Sequence, residues 1–307
     1  MRDPGGVLRA VGLALLLTGC DQALGLEREV PPAVCGPFAE PVALVFDPQL
    51  GEPHDVSVDG TGLRGMVNAR RTNAQMVTWT GPHAITRDAF GVWVPDDVRD
   101  RPNLDTLDGA HVVTTLAAGP RAIGWIEKPR TPAIFEYEFQ GTAWSMVPAF
   151  VDPFIAESTR AGNLIEVAFG GASLKWAVLI EIAQVAGERN NLRINQLAPG
   201  GSWQLTSQAT PIETDPLKIN PNGGVLTADH NKLVYAAKVG STAHSELFAS
   251  PRIGDKFAHG PELTIEGVES DADLTEPWIN ADCSVLYFRR EGVTWMATAV
   301  DDPGAGP

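Results

Sequence analysis

Cysteine, histidine and the carboxylates are the residue types in this chain that could carry chemistry, and their spacing says which chemistry is open to them. The thiols are Cys20, Cys35 and Cys283, with no Cys-x-x-Cys pair among them. His54, His83, His111, His230, His244 and His259 are scattered, with no His-Glu-x-x-His and no close pair. The short-range spacings that seat zinc are therefore missing, and no metal site is expected. No Gly-x-Ser-x-Gly elbow exists, and Gly200-Gly201-Ser202 reads as a turn. Cleaving a glycosidic bond needs two carboxylates roughly 5 to 10 Å apart. Asp55, Glu166, Glu181 and Glu276 are the candidates, but nothing in their sequence spacing makes them converge. The acidic run Glu269-Ser270-Asp271-Ala272-Asp273-Leu274-Thr275-Glu276 could offer oxygens to calcium, yet it lacks the glycine turn and closing glutamate of an EF-hand loop and reads as solvated. No catalytic residue and no cofactor are expected.

The N-terminus carries a different chemistry. Arg2 and Arg9 flank the start of an apolar stretch, Val11-Gly12-Leu13-Ala14-Leu15-Leu16-Leu17, too short to span a bilayer. It ends in Leu17-Thr18-Gly19-Cys20, which resembles the lipobox of bacterial lipoproteins. Small residues suit a signal peptidase, and only a thiol can form the diacylglycerol thioether. The resemblance implies cleavage after Gly19 and acylation of Cys20, palmitate being the usual chain. With each buried CH₂ contributing about 0.8 kcal/mol, two or more chains hold a protein stably on a membrane. The expected organisation is a signal peptide (1–19), a lipidated Cys20 and tether (20–36), one folded domain (37–300) and a disordered tail (301–307). The expected location is the cell envelope, on the periplasmic side of either membrane or at the cell surface. In some sorting systems an acidic residue such as Asp21 favours inner-membrane retention.

Formal charge is −15, and removing two arginines and one aspartate with residues 1–19 leaves −16. So acidic a body has no patch to neutralise phosphates, which excludes nucleic acid as a partner.

Beyond the tether, apolar residues come in short bursts bounded by Gly, Pro, Asn and Asp, a strand pattern. Residues 174–187 are long enough for a helix, but their β-branched and aromatic content and the following Asn190-Asn191 fit a hairpin. The bursts repeat. Each copy starts on an aromatic (Phe38, Phe90, Trp144, Trp203, Phe257), and successive leaders stand 52, 54, 59 and 54 residues apart. Periods of this length with four strands each predict an all-β fold, a β-propeller of five four-stranded blades, with six as the alternative. One blade cannot bury its own faces, but a closed ring covers them all. Most of the eight tryptophans fall at matching positions of the repeats and are read as blade packing.

Three copies carry a sharper signal. Pro277-Trp278-Ile279-Asn280-Ala281-Asp282-Cys283, followed by Leu286-Tyr287-Phe288 and Trp295-Met296-Ala297, is similar to the TolB-type propeller repeat, a relative of WD-type blades. Leu226-Thr227-Ala228-Asp229-His230 with Leu233-Val234-Tyr235, and Val56-Ser57-Val58-Asp59-Gly60, follow the same pattern. The resemblance implies a propeller with a binding habit and no particular reaction. In a closed ring Cys35, before the first repeat, and Cys283, in the last, become neighbours, so a disulfide joining them is expected in an oxidising compartment. The function expected is a membrane-anchored binding or scaffolding module for a protein, peptide or glycan at a propeller face. The alternative is a propeller-type glycosidase or lyase using axial carboxylates.

Overall fold

The computed structural model describes residues 35–59, 61–72, 78–100, 219–227, 231–240, 244–253, 256–257, 260–280 and 282–300, and, as backbone, the strands between residues 110 and 205. The chain divides into two units, 1–33 and 34–307, and all described residues belong to the second. The expectations for Cys20, Asp21, His111, His230, His259 and residues 301–307 fall outside the described residues or their side chains. Among the described residues no helix is long and apolar enough to cross a membrane.

Among the described residues twenty strands form five antiparallel four-stranded sheets. A short N-terminal strand, β1 (Val42–Ala43), precedes the first sheet: β2 (Leu50–Val58), β3 (Arg64–Thr72), β4 (Thr78–Arg87) and β5 (Trp93–Pro95). The second sheet is β6 (Ala110–Thr115), β7 (Arg121–Ile126), β8 (Ala133–Phe139) and β9 (Trp144–Met146). The third is β10 (Asn163–Gly170), β11 (Trp176–Ile182), β12 (Asn191–Leu197) and β13 (Trp203–Leu205). The fourth is β14 (Ile219–Leu226), β15 (Lys232–Val239), β16 (Glu246–Ile253) and β17 (Lys256–Phe257). The fifth takes β18 (Leu274–Ile279), β19 (Val285–Arg290) and β20 (Val293–Thr298), and its outermost strand is β1. The first strands abut in turn, β2 on β6, β6 on β10, β10 on β14, β14 on β18 and β18 on β2, which closes the ring. The fold is a β-propeller, with five blades among the described residues. Within 174–187 the described residues, Trp176–Ile182, form β11, which pairs antiparallel with β12.

Closure explains the burial. Leu233, Val234, Tyr235, Ala236 and Ala237 of β15 are all buried, with no alternation of exposed residues. A strand covered on both faces reads as a continuous apolar run, and here the neighbouring blades supply the covers. The first and fifth blades share a core of Leu50, Val56, Val58, Val67, Ala69, Ile85, Trp93 and Tyr287, with Trp278, Val285 and Met296 packed on it.

Two sequence expectations change. The aromatic leading each copy belongs to the preceding blade as its outermost strand: Trp144, Trp203 and Phe257 lie in β9, β13 and β17. At the second copy the leader is Trp93, not Phe90. Asp88 Oδ1 accepts the N–H groups of Phe90 and Val92 at 2.8 Å each, folding 88–92 into a turn that leaves Phe90 91% exposed while Trp93 is 1% exposed. The same shift of phase makes Phe38 and β1 complete the last blade. Ala39 N–H donates to Thr298 O and Leu44 N–H to Thr294 O, both at 2.8 Å. On the other side Trp93 N–H donates to Val45 O at 2.8 Å, so the N-terminal segment stitches the fifth blade to the first. Cys35, just upstream, is disulfide-bonded to Cys283.

The turn motif follows its side-chain chemistry. Asp59 Oδ1 accepts Thr61 N–H and Oγ1–H, and Asp282 Oδ1 accepts the same two groups of Ser284. Cys283 takes the left-handed backbone position (φ 61°) that glycine fills in the repeat pattern.

Among the described glycines, Gly260 makes the closest approach of a loop to a sheet. A Cβ there would overlap the Ala249 carbonyl and the Ser250 backbone, neither of which is a flexible side-chain end. Gly260→Ala is expected to lose about 1–3 kcal/mol through forced backbone displacement. Thermal melting checks this, and an unchanged midpoint would show that 260–263 does not lie flush on β16.

Candidate functional site

Each inner strand breaks register once or more: β2 around His54, β6 between Val112 and Thr114, β10 between Leu164 and Glu166, β14 between Pro221 and Gly223, and β18 between Thr275 and Trp278. A bulge leaves one residue unpaired and re-aims its side chain. In the first and fifth blades the skipped stretches contain Asp55 and Glu276, at φ 50° and 51°. Left-handed backbone at a non-glycine residue persists only where the surroundings hold it.

They hold it by joining the two blades. Asp55 N–H donates to Glu276 Oε2 at 3.0 Å across 221 residues of sequence. Glu276 Oε1 accepts from Arg289 Nη1 at 3.0 Å, and Asp55 Oδ2 accepts from Asn68 Nδ2 at 2.9 Å. His54 Nδ1 lies 2.7 Å from Asp55 Oδ2. Asn68 is directly opposite His54 on β3, and Arg289 is opposite Thr275 on β19, so the ladders themselves place both supporting side chains. His54, Asp55, Glu276 and Arg289 are half-buried, with 22–35% of each side chain exposed. One donor atom from each of His54, Asp55 and Glu276 can be chosen so that all lie within 4.8 Å of one another. The His54 pKa is raised above its ordinary value, first by its hydrogen bond to Asp55, against the opposing effect of burial. The group thus presents acceptors, donors and a titratable ring to solvent within one small area.

Of the four candidate carboxylates in the sequence, two meet. Glu166 lies on β10 beside that strand's bulge, and Glu181 lies on β11 opposite Leu164, while their side chains are outside the described residues. The acidic run is not a single loop. Asp273 Oδ1 accepts Ser245 N–H at 2.7 Å, pinning the link between the fourth and fifth blades, and residues from Leu274 onward enter β18. His54, a solitary histidine in the sequence, belongs to the group, as do Asn68 and Arg289. One signal for the pairing exists in the sequence: Asp55 stands four residues before the turn residue Asp59, and Glu276 four before its equivalent Asn280.

A second polar group lies inside the first blade. Asp100, whose side chain is fully buried, accepts from the Arg71 guanidinium and sits 3.2 Å from His83 Nδ1. His83 Nε2 is 3.2 Å from the Ala69 carbonyl. All three side chains are withdrawn from solvent, and the place of this network in the molecule is structural.

No family model matches the sequence, and no curated protein matches it. Solved structures do. The chain is similar to TolB from Acinetobacter baumannii at 10% identity and TM-score 0.41, over 80% of this chain and 54% of that one, so it spans about half that protein's length. It is similar to a GDP-Man-dependent mannosyltransferase from Leishmania mexicana at 9% identity and TM-score 0.44, over 94% and 97% of the two chains. It is similar to the β-propeller domain of the Trilobed protease from Pyrococcus furiosus at 6% identity and TM-score 0.36, over 78% and 79%.

Proposed function

We propose that this protein is an envelope lipoprotein, moored by acyl chains on Cys20, whose propeller captures a protein, peptide or glycan where the first and fifth blades meet. The observation that supports it is the convergence of His54, Asp55, Glu276 and Arg289 on a half-exposed patch at the inner strands, with the buried Asn68 holding Asp55 from behind. A group needed only for stability would be buried, like Arg71 and Asp100. Mixed donors and acceptors at a solvent-facing junction suit a ligand rich in hydroxyl or amide groups.

The test is capture from the protein's own envelope fraction, followed by binding to the recovered ligand. Glu276→Gln is expected to weaken capture at least ten-fold while costing less than about 1 kcal/mol of stability, since a half-exposed ion pair contributes little. Equal capture by wild type and variant would reject the site. For the mooring, Cys20→Ala is expected to abolish incorporation of a palmitate analogue and release the protein from the membrane fraction.

A second reading, a glycosidase or lyase, is favoured by the convergence of the Asp55 and Glu276 carboxylates, which offer oxygens within 4.8 Å of each other, since glycosidases act through a carboxylate pair. It requires release of product from a glycan panel by the wild type and none by Glu276→Gln.

A further inference from the structure

We propose that His54, Asp55 and Glu276 form a binding site for one divalent transition-metal ion of the Zn²⁺ class. The inference rests on the same patch as the binding reading and adds the cofactor that the patch would use.

Three features of the geometry carry it. The first is the donor set. One imidazole and two carboxylates, with donor atoms all within 4.8 Å of one another, form the three-ligand arrangement that zinc accepts while keeping a further position open for water or a ligand group. Bonds of about 2.0–2.2 Å from a shared centre put neighbouring ligand atoms about 3–4 Å apart, so small side-chain rotations close the set. An imidazole among the ligands favours zinc and its transition-metal neighbours over calcium or magnesium, which take oxygen ligands.

The second feature is the support behind the donors. His54 Nδ1 and Asp55 Oδ2 already face one another at 2.7 Å, so an ion displacing the proton between them would take one ligand atom from each. Asn68 fixes the Asp55 carboxylate and Arg289 fixes that of Glu276. Each carboxylate oxygen has two lone pairs, so a hydrogen bond to one leaves capacity for coordination.

The third feature is placement. The donors come from inner strands of the first and last blades, and two of the three sit at left-handed positions in bulges. β18 pairs regularly on either side of its bulge and β2 shifts register both before and after His54, so the backbone aims these side chains at one another where regular pairing would point successive residues to opposite faces.

The experiment uses the full chain in detergent, purified without a histidine tag and stripped with chelator. Zn²⁺ and Co²⁺ are titrated separately, and bound metal is counted after desalting. The expected result is one saturable equivalent per chain, weakened at least ten-fold by His54→Gln and by Glu276→Gln. X-ray absorption of the zinc-loaded wild type adds a readout that needs no variant, with one imidazole nitrogen and otherwise oxygen ligands expected. Lack of saturable binding, binding indifferent to both substitutions, or a sphere without imidazole would each overturn the proposal. Ligand capture is measured with and without chelator. Capture that persists in chelator by a chain that binds no metal rejects the metal and keeps the binding reading. Saturable metal on a chain that captures nothing keeps the metal and rejects that reading.

Discussion

Cys35→Ser is expected to destabilise the propeller by up to roughly 5 kcal/mol, more than any other substitution proposed for this chain. The disulfide joins residues 248 apart, so in the chain-entropy model it removes from the unfolded ensemble the freedom of nearly the whole domain. The native closure it guards is thin. β1 pairs with β20 at only Val42↔Met296 and Ala43↔Trp295, reinforced by the buried Phe38 ring and a few backbone bonds. Without the covalent link those contacts must recover the closure entropy alone. Cys35→Ser isolates the bond better than a change at Cys283, which is buried and holds φ 61°, so that its replacement also alters a strained turn. Denaturant unfolding should show a lower midpoint, and amide exchange should accelerate first at residues 38–44. Because either substitution breaks the same bond, Cys35→Ser/Cys283→Ser should lose little more than Cys283→Ser alone. A midpoint identical to wild type, under oxidising conditions that keep the bond intact there, would refute the clasp.

Asp100→Asn should cost about 3–5 kcal/mol, because it removes the buried carboxylate bonded to the buried Arg71 guanidinium. Asp97 stands 3.6 Å from the same guanidinium, but its side chain is 91% exposed and compensates weakly. Burial already draws the Arg71 pKa below its ordinary value, so the cation depends on its partners. Replacing the pair together, as Arg71→Met/Asp100→Leu, should recover much of the loss, since a buried ion pair is costly chiefly when halved. If Asp100→Asn melts with the wild type, the network carries no stability.

The same network predicts acid sensitivity. Burial, and then the Arg71 charge, push His83 down to about 4 from 6.5. The hydrogen bond with the Ala69 carbonyl pulls the other way, and burial prevails. A histidine with a lowered folded pKa binds fewer protons when folded than when unfolded, so stability rises with pH across this interval. The wild type should hold its full stability above about pH 6.5 and lose about 3 kcal/mol as the pH falls through 4, at about 1.4 kcal/mol per pKa unit. His83→Gln should flatten that slope, and an unaltered slope would assign it to other groups.

The local grammar of this protein was legible in its sequence. Strand bursts, the repeat near 55 residues and the Asp turns follow from interactions among residues a few positions apart, and the fold class follows from their recurrence. Asp59 and Asp282 cap their turns because the acceptor and the N–H groups it serves are two residues apart. Phase was harder to read. Phe90 and Trp93 are both aromatic and three residues apart, and only the neighbouring blade, by covering one and not the other, decides which leads.

Ring closure decided everything that depends on distant partners. Glu276 looked like one acid in a solvated run, and His54 like an isolated ring, until β18 came to rest beside β2. Arg71, His83 and Asp100 meet only after β3, β4 and the segment beyond β5 have stacked. Local patterning sets which residues turn inward or outward on each strand. It carries no record of which strands will be adjacent, because that choice is made by the burial of whole sheet faces when the last blade meets the first.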